Sequence, residues 1–245
     1  MIVLFLYKKS IFNVISVELN YMKKIIALFF LLTSLSVFGQ KDSLQLGDKY
    51  LEDQLYFGVT YNQLFSQPNT VVGSGFSYGI STGYIRDISI VKSGRIALGI
   101  GIGYAFDSMN HGFKISNQNS SSVIEVDTNN ATSNPFSTHA LEFPFEIRWR
   151  TSNANKYKFW RVYTGFKVSY NLKNTFEYSS NGIIDTFSNI ERLNKVQYGL
   201  TLSAGYSTFN FTMYYGLTPI FKDAHIGTKA INTKVIKLGL LFYIL

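Results

Sequence analysis

Cysteine is absent from this sequence, which also holds only four prolines, three histidines and two tryptophans, and no more than 16% of its 245 residues are charged. Without cysteine there is no disulfide framework, no thiolate metal site, no cysteine nucleophile and no lipid-modified N-terminal cysteine. No apolar run reaches the ~20 residues of a membrane-spanning helix. Mean hydropathy lies close to zero, which excludes a bundle of such helices and leaves alternating strands as the only route to lipid contact. What the chain has in quantity is Phe (21), Tyr (17) and Gly (19), a mixture suited to twisted, closely packed strands.

The N-terminal part divides by its chemistry. From Met22, two lysines (Lys23, Lys24) precede the apolar residues 25–32 and then the small residues Ser34, Ser36 and Gly39. That succession is the pattern of a secretory signal peptide over residues 22–39, with the cut expected between Gly39 and Gln40. Residues 1–21 read as an upstream extension outside the mature fold, and residues 40–53 as a polar periplasmic linker. Removing residues 1–40 takes away four lysines and Glu18, so the net charge falls from +8 to about +5. A basic excess of that size suits anionic headgroups. No basic cluster with interleaved aromatics marks a nucleic-acid surface.

From residue 54 onward the chain breaks into eight segments with a period of two. The clearest runs from Arg95 to Asp107, where Ile96, Leu98, Ile100, Ile102, Tyr104 and Phe106 alternate with Ala97, Gly99, Gly101, Gly103 and Ala105. Others centre on Leu55 to Asn62, Phe76 to Tyr84, Leu141 to Arg150, Trp160 to Asn171, Val196 to Tyr206, Phe209 to Thr218 and Ile236 to Ile244. Short connections near residues 88–94, 151–157 and Ser207 alternate with longer polar ones at 108–137, 172–194 and 219–232. The Ser/Asn-rich residues 116–134 read as mobile loop. Short periplasmic turns and longer external loops predict an all-β, eight-stranded antiparallel up-and-down transmembrane β-barrel over residues 54–245.

A soluble barrel would share the alternation but carry long charged side chains outside. Here one face is mostly Gly, Ala, Ser and Thr, which suits the crowded hollow of a narrow barrel. The other is large, apolar and nearly uncharged over the 9–11 residues a tilted strand needs to cross the hydrocarbon. Lipid is therefore expected to meet the bulky face. Trp149, Trp160, Tyr84, Tyr206 and Phe209 at one rim, with Tyr61, Tyr104 and Tyr170 at the other, fit headgroup depth.

Parity turns Glu142, Glu146, Arg148, Arg150, Arg161 and Lys167 inward from neighbouring strands, as a charge network filling the lumen or as the gate of a narrow ion path. Pro144, lacking a ladder donor, predicts a bulge. The histidines, His111, His139 and His225, fall towards the external side. His139 beside Ser137 raises the idea of a surface lipid hydrolase, but no nucleophile motif surrounds it. No two histidines share a ligand spacing, and no phosphate-cradling loop precedes a helix, so neither metal nor cofactor is expected.

Two resemblances add to this. Lys237, Gly239, Phe242 and Ile244 fit a polar-x-Gly-x-x-aromatic-x-hydrophobic pattern that resembles the assembly signal of outer-membrane barrels, which implies the barrel-assembly machinery as a partner. The stretch Glu142-Phe143-Pro144-Phe145-Glu146-Ile147-Arg148-Trp149-Arg150-Thr151-Ser152, followed by Tyr157-Lys158-Phe159-Trp160-Arg161-Val162-Tyr163-Thr164-Gly165-Phe166-Lys167, is similar to the PorT-like family of outer-membrane β-barrel proteins. That similarity implies a small porin-like barrel in the outer membrane of a Gram-negative bacterium and, for PorT proper, a part in protein secretion. The sequence thus points to a non-enzymatic barrel in contact with outer-membrane lipid. Its role would be structural, secretion-associated or one of surface contact through the loops, with a minor porin as the alternative.

Overall fold

A computed structural model describes residues 53–67, 76–91, 93–118, 121–126, 134–151, 160–180, 183–190, 192–226 and 229–244. The expected leader, the upstream extension and all but the last residue of the linker lie outside the described residues, as does most of the turn at 151–157.

The described residues form thirteen strands: β1 (Gln54–Phe65), β2 (Tyr78–Ser89), β3 (Ile96–Asn110), β4 (Phe113–Gln118), β5 (Ser121–Val126), β6 (Pro135–Arg150), β7 (Trp160–Ser180), β8 (Ile183–Ser188), β9 (Val196–Tyr206), β10 (Phe209–Gly216), β11 (His225–Ile226), β12 (Lys229–Ala230) and β13 (Lys234–Ile244). Eight of them pair in the ring β6-β3-β2-β1-β13-β10-β9-β7, and β6–β7 pairing joins its two ends. Every contact in the ring is antiparallel, and each barrel strand lies beside the next in sequence. The first and last strands close the circle, from Leu55↔Ile244 to Phe65↔Lys234. The result is a closed eight-stranded up-and-down barrel. Closure leaves no ladder edge in the ring, the condition for strands to satisfy their backbone polar groups inside hydrocarbon.

All eight period-two segments lie on these strands. Leu55, Phe57, Val59, Ile100, Ile102, Leu200, Leu202, Leu238 and Leu240 are exposed on the outer surface, whereas Gly58, Gly99, Gly103 and Ala105 turn into the lumen. The glycines are there for close approach: a Cβ on Gly103 would collide with the Tyr56 hydroxyl, and one on Gly99 would stand 2.5 Å from Arg148 Nε.

Three expectations are corrected. Residues 108–137 and 172–194 are not plain loops: β3 runs on to Asn110, β6 starts at Pro135, β7 continues to Ser180, and β4–β5 and β7–β8 are hairpins. Polar residues there hid the strands because this part of the sheet stands clear of lipid and needs no bulky outer face. Part of the stretch read as mobile, residues 116–118 and 121–126, belongs to the β4–β5 hairpin. Pro144 makes no bulge. It pairs in register with Lys167, and on its other side the β3–β6 ladder merely lapses between Ile100↔Phe145 and Gly103↔Glu142 without a shift. A missing N–H removes a rung; it does not add a residue.

The irregularity lies instead at Leu172, which is extra between His139↔Lys173 and Ala140↔Asn171. A bulge of one residue reverses the side-chain phase. Below it the odd residues Arg161, Tyr163 and Lys167 face inward; above it the even residues Asn174, Phe176 and Tyr178 are buried.

Candidate functional site

The interior is filled in three zones. At the end bearing the short turns, Arg148 Nη1 and Arg150 Nη2 hold the two oxygens of Asp87 at 3.1 and 2.6 Å, and Arg148 Nε donates to Glu146 at 3.0 Å. Asp87, Arg148 and Arg150 are almost wholly withdrawn from solvent. Arg150 Nε also donates to the Gly94 carbonyl (2.7 Å), where Gly94 takes the positive φ of 69° that the β2–β3 turn requires. The turn and the lumen are thereby tied together. Tyr56, Ile85, Tyr163 and Tyr243 form an aromatic layer against this cluster, with the Arg148 guanidinium 4.7 Å from the Tyr163 ring centre and that of Arg161 5.6 Å from the Tyr243 ring.

Midway, Lys167 Nζ meets Glu142 Oε1 at 2.7 Å, and Lys237 Nζ meets Asp107 Oδ2 at 2.6 Å. Asn62 Nδ2 donates to the other oxygen of Asp107 at 2.8 Å. Both lysines lie over the Tyr214 ring, at 5.1 and 5.5 Å. A cavity of about 60 Å³ separates these pairs from the tyrosine layer, bordered by Glu142, Glu146, Lys167, Lys237, Tyr56 and Thr201 among others. That is room for a few waters and no more.

The mouth on the long-loop side is apolar. Met109, Phe136, Phe176, Tyr178, Ile190, Leu193, Ile220, Phe221, Ile231 and Val235 pack into one buried cluster, with Leu64 and Phe187 against it. The chain after β8 and after β10 folds inward to supply it, held by Asn194 N to Ile220 O, Ile220 N to Thr233 O and the Leu193↔Phe221 bridge. Thus the barrel is obstructed by ion pairs, by tyrosines and by an apolar stopper.

Of the inward charges singled out in the sequence, Glu146, Arg148 and Arg150 meet in one cluster, Glu142 and Lys167 form a separate pair, and Arg161 lies against Tyr243. Sequence reasoning missed Asp87, which ties Arg148 to Arg150, and Asp107, which holds Lys237. Continuing the parity of Gly79 and Gly83 to Asp87 would have found the first. The residues resembling an assembly signal divide between faces. Lys237 and Gly239 point inward, while Phe242 sits on the outer surface between Phe57 (6.4 Å) and Phe209 (5.2 Å), and Ile244 is exposed at the strand end.

The histidines do not gather. His139 faces outward and shares a hydrogen bond with the Tyr104 hydroxyl, while Ser137 Oγ donates to the Thr175 carbonyl instead. His111, expected on a solvated loop, is buried beside Phe136 and Phe176, and His225 is exposed on β11. Among the described residues, no three His, Cys, Asp or Glu side chains are grouped to hold a metal ion.

No curated protein matches the chain. Among solved structures, the chain is similar to Ail, the attachment invasion locus protein of Yersinia pestis, at 11% identity and a TM-score of 0.34, over 78% of this chain and 96% of that one. Residues 38–222 match the family model described as outer membrane protein beta-barrel domain. That match spans most of the sequence, and it agrees with a closed ring of strands whose outer face is apolar and whose inner face is polar. The chain belongs to the family of outer membrane protein β-barrel domains, and its place is the outer membrane of a Gram-negative bacterium.

Proposed function

We propose that this protein is a sealed, non-enzymatic barrel that anchors extracellular β-structure for contact with other molecules, and not a channel. The observation that carries this reading is the triple obstruction of the lumen, by the Asp87–Arg148–Arg150 cluster, by the tyrosine layer and by the apolar stopper around Phe136 and Phe176. A pore of this width needs a continuous wet path, and an eight-stranded barrel is just filled by its own side chains. The second support is that β7 continues well past Tyr170, where the ~11 residues from Trp160 already suffice to cross the hydrocarbon. That surplus carries β8 with it.

The test is single-channel recording from the purified barrel in planar bilayers. Silence across the voltage range is expected, and resolved current steps that change on Lys167→Ala would establish the minor-porin reading in its place. A PorT-like role in secretion draws on the similarity in β6 and β7, the strands that project furthest, and would use the same surface. Outer-membrane lipid and the barrel-assembly machinery are the partners this reading needs, the latter through Phe242 and Ile244 on the outer face of β13.

A further inference from the structure

The closed ring leaves no edge within the membrane, but the sheet does not end there. β8 pairs with β7 from Thr175↔Ser188 to Ser180↔Ile183. Among the described residues no strand pairs with its other side, where the order of strands stops. The orientation of its backbone follows from the ladder. Asn189 N donates to the Asn174 carbonyl at 2.9 Å, and antiparallel hydrogen-bonded pairs recur at every second residue. Phe187 and Asp185 therefore direct their N–H and C=O groups to β7, whereas Ser188, Thr186 and Ile184 direct theirs to the open side. The same three residues carry exposed side chains, and Ile184 is 68% exposed. Such a row of unspent donors and acceptors is a template for another strand.

A second copy of this chain does not fit it. Both copies would stand upright in one membrane, each with β8 descending at the barrel tilt of roughly 40°. Bringing the two open edges face to face takes a half-turn about the membrane normal, which crosses the strands at about 80°, and no ladder forms at that angle. We infer that the open edge of β8 receives an extended segment of a different protein by strand addition. This deepens the anchor reading and rests on it. The partner segment is free of proline at alternate positions, so that its amides reach Ile184, Thr186 and Ser188. It carries apolar side chains beside Ile184 with a basic one towards the exposed carboxylate of Glu177, which lies one strand in on that same face, and a basic one on the opposite face near the exposed carboxylate of Asp185.

The experiment follows single-amide hydrogen exchange of the intact barrel in lipid nanodiscs. The probe is a synthetic eight-residue peptide alternating valine with lysine and threonine, and its counterpart N-methylated at every second amide is the control. The amides of Ile184, Thr186 and Ser188 should exchange freely in the protein alone and slow roughly tenfold with the peptide, an effect of the size of one or two hydrogen bonds. The N-methylated peptide should leave them unchanged. Thr186→Pro, which removes a donor from the open side only, should weaken peptide binding roughly tenfold while Asp185 and Phe187 stay protected. Protection of the three amides before any peptide is added would overturn the inference, and if it grows with protein concentration it assigns the edge to a second copy. Indifference to the peptide would overturn it as well, as would equal binding by the proline variant or the methylated control. Those failures together with silent bilayers would remove strand addition and leave the anchor reading standing, whereas channel currents would remove the anchor reading itself.

Discussion

At the scale of single residues this barrel is most sensitive to substitution where it buries charge, because a partner left behind has no water to turn to. Asp87 holds Arg148 through one carboxylate oxygen and Arg150 through the other, so Asp87→Ala takes the shared counter-charge from two neighbouring guanidinium groups in a confined, nearly dry space. Removing one member of a buried pair typically costs about 3–5 kcal/mol, mostly through the charge left behind. Urea unfolding from lipid vesicles, followed by fluorescence of Trp149 and Trp160, should register a loss of that order. The small residues make a second point of control. Gly103→Val should block folding because the new side chain meets the Tyr56 hydroxyl and the Thr82 carbonyl. Adding Tyr56→Ala should relieve part of the defect but not all, since the backbone contact persists. Heat-modifiable gel migration reads both variants, and a full rescue would show that the ring alone sets the requirement for glycine.

At the scale of elements, β6 offers a test of how ladder gaps are tolerated. Pro144 cannot donate to β3, and the rungs next to it are missing while its register with β7 is kept. Pro144→Thr should restore a donor and raise stability by about 0.5–1.5 kcal/mol, the net worth of one hydrogen bond, measurable in the same urea titration. The membrane-crossing part of every strand was legible in the sequence because lipid imposes one rule on alternate residues, and Ile96 to Phe106 obeys it without exception. Above the membrane no single solvent imposes a pattern, so β4, β5 and β8 left no periodic trace and read as loop. The inward charges of β6 and β7 were legible by parity. Their partners were not, because Asp87 reaches Arg148 across the intervening β3, two ladders away, and Asp107 reaches Lys237 only through the β1–β13 closure of the ring. Phe136 and Phe176 likewise gave no sign of a stopper, since the one lies at the tip of β6 and the other beyond a change of phase.

At the scale of the whole molecule the decisive contrast is between an outer surface that faces hydrocarbon and a hollow that is packed. Leu200 lies in the middle of the outer band, paired with Phe166 and Tyr215. Leu200→Arg should cost about 2–4 kcal/mol, as a charge near the bilayer midplane does, and its effect should shrink in thinner bilayers. The measurement is folding yield in vesicles of graded acyl-chain length, and insensitivity to thickness would mean that the face does not meet lipid. The extra residue at Leu172 gives the molecule one further property. A strand is read two letters at a time, and inserting one letter moves everything after it into another frame. In β7 the frame that serves the membrane ends at Asn171, and a second frame, which sends Phe176 and Tyr178 to the stopper, begins at Asn174. Deleting Leu172 would merge the frames into one regular strand with Phe176 and Tyr178 still turned inward, whereas inserting one residue after Lys173 would swing those rings outward and uncork the barrel from above while its greasy belt stayed intact. A one-residue insertion would then separate residence in the membrane from closure of the hollow, two properties that otherwise rise and fall together.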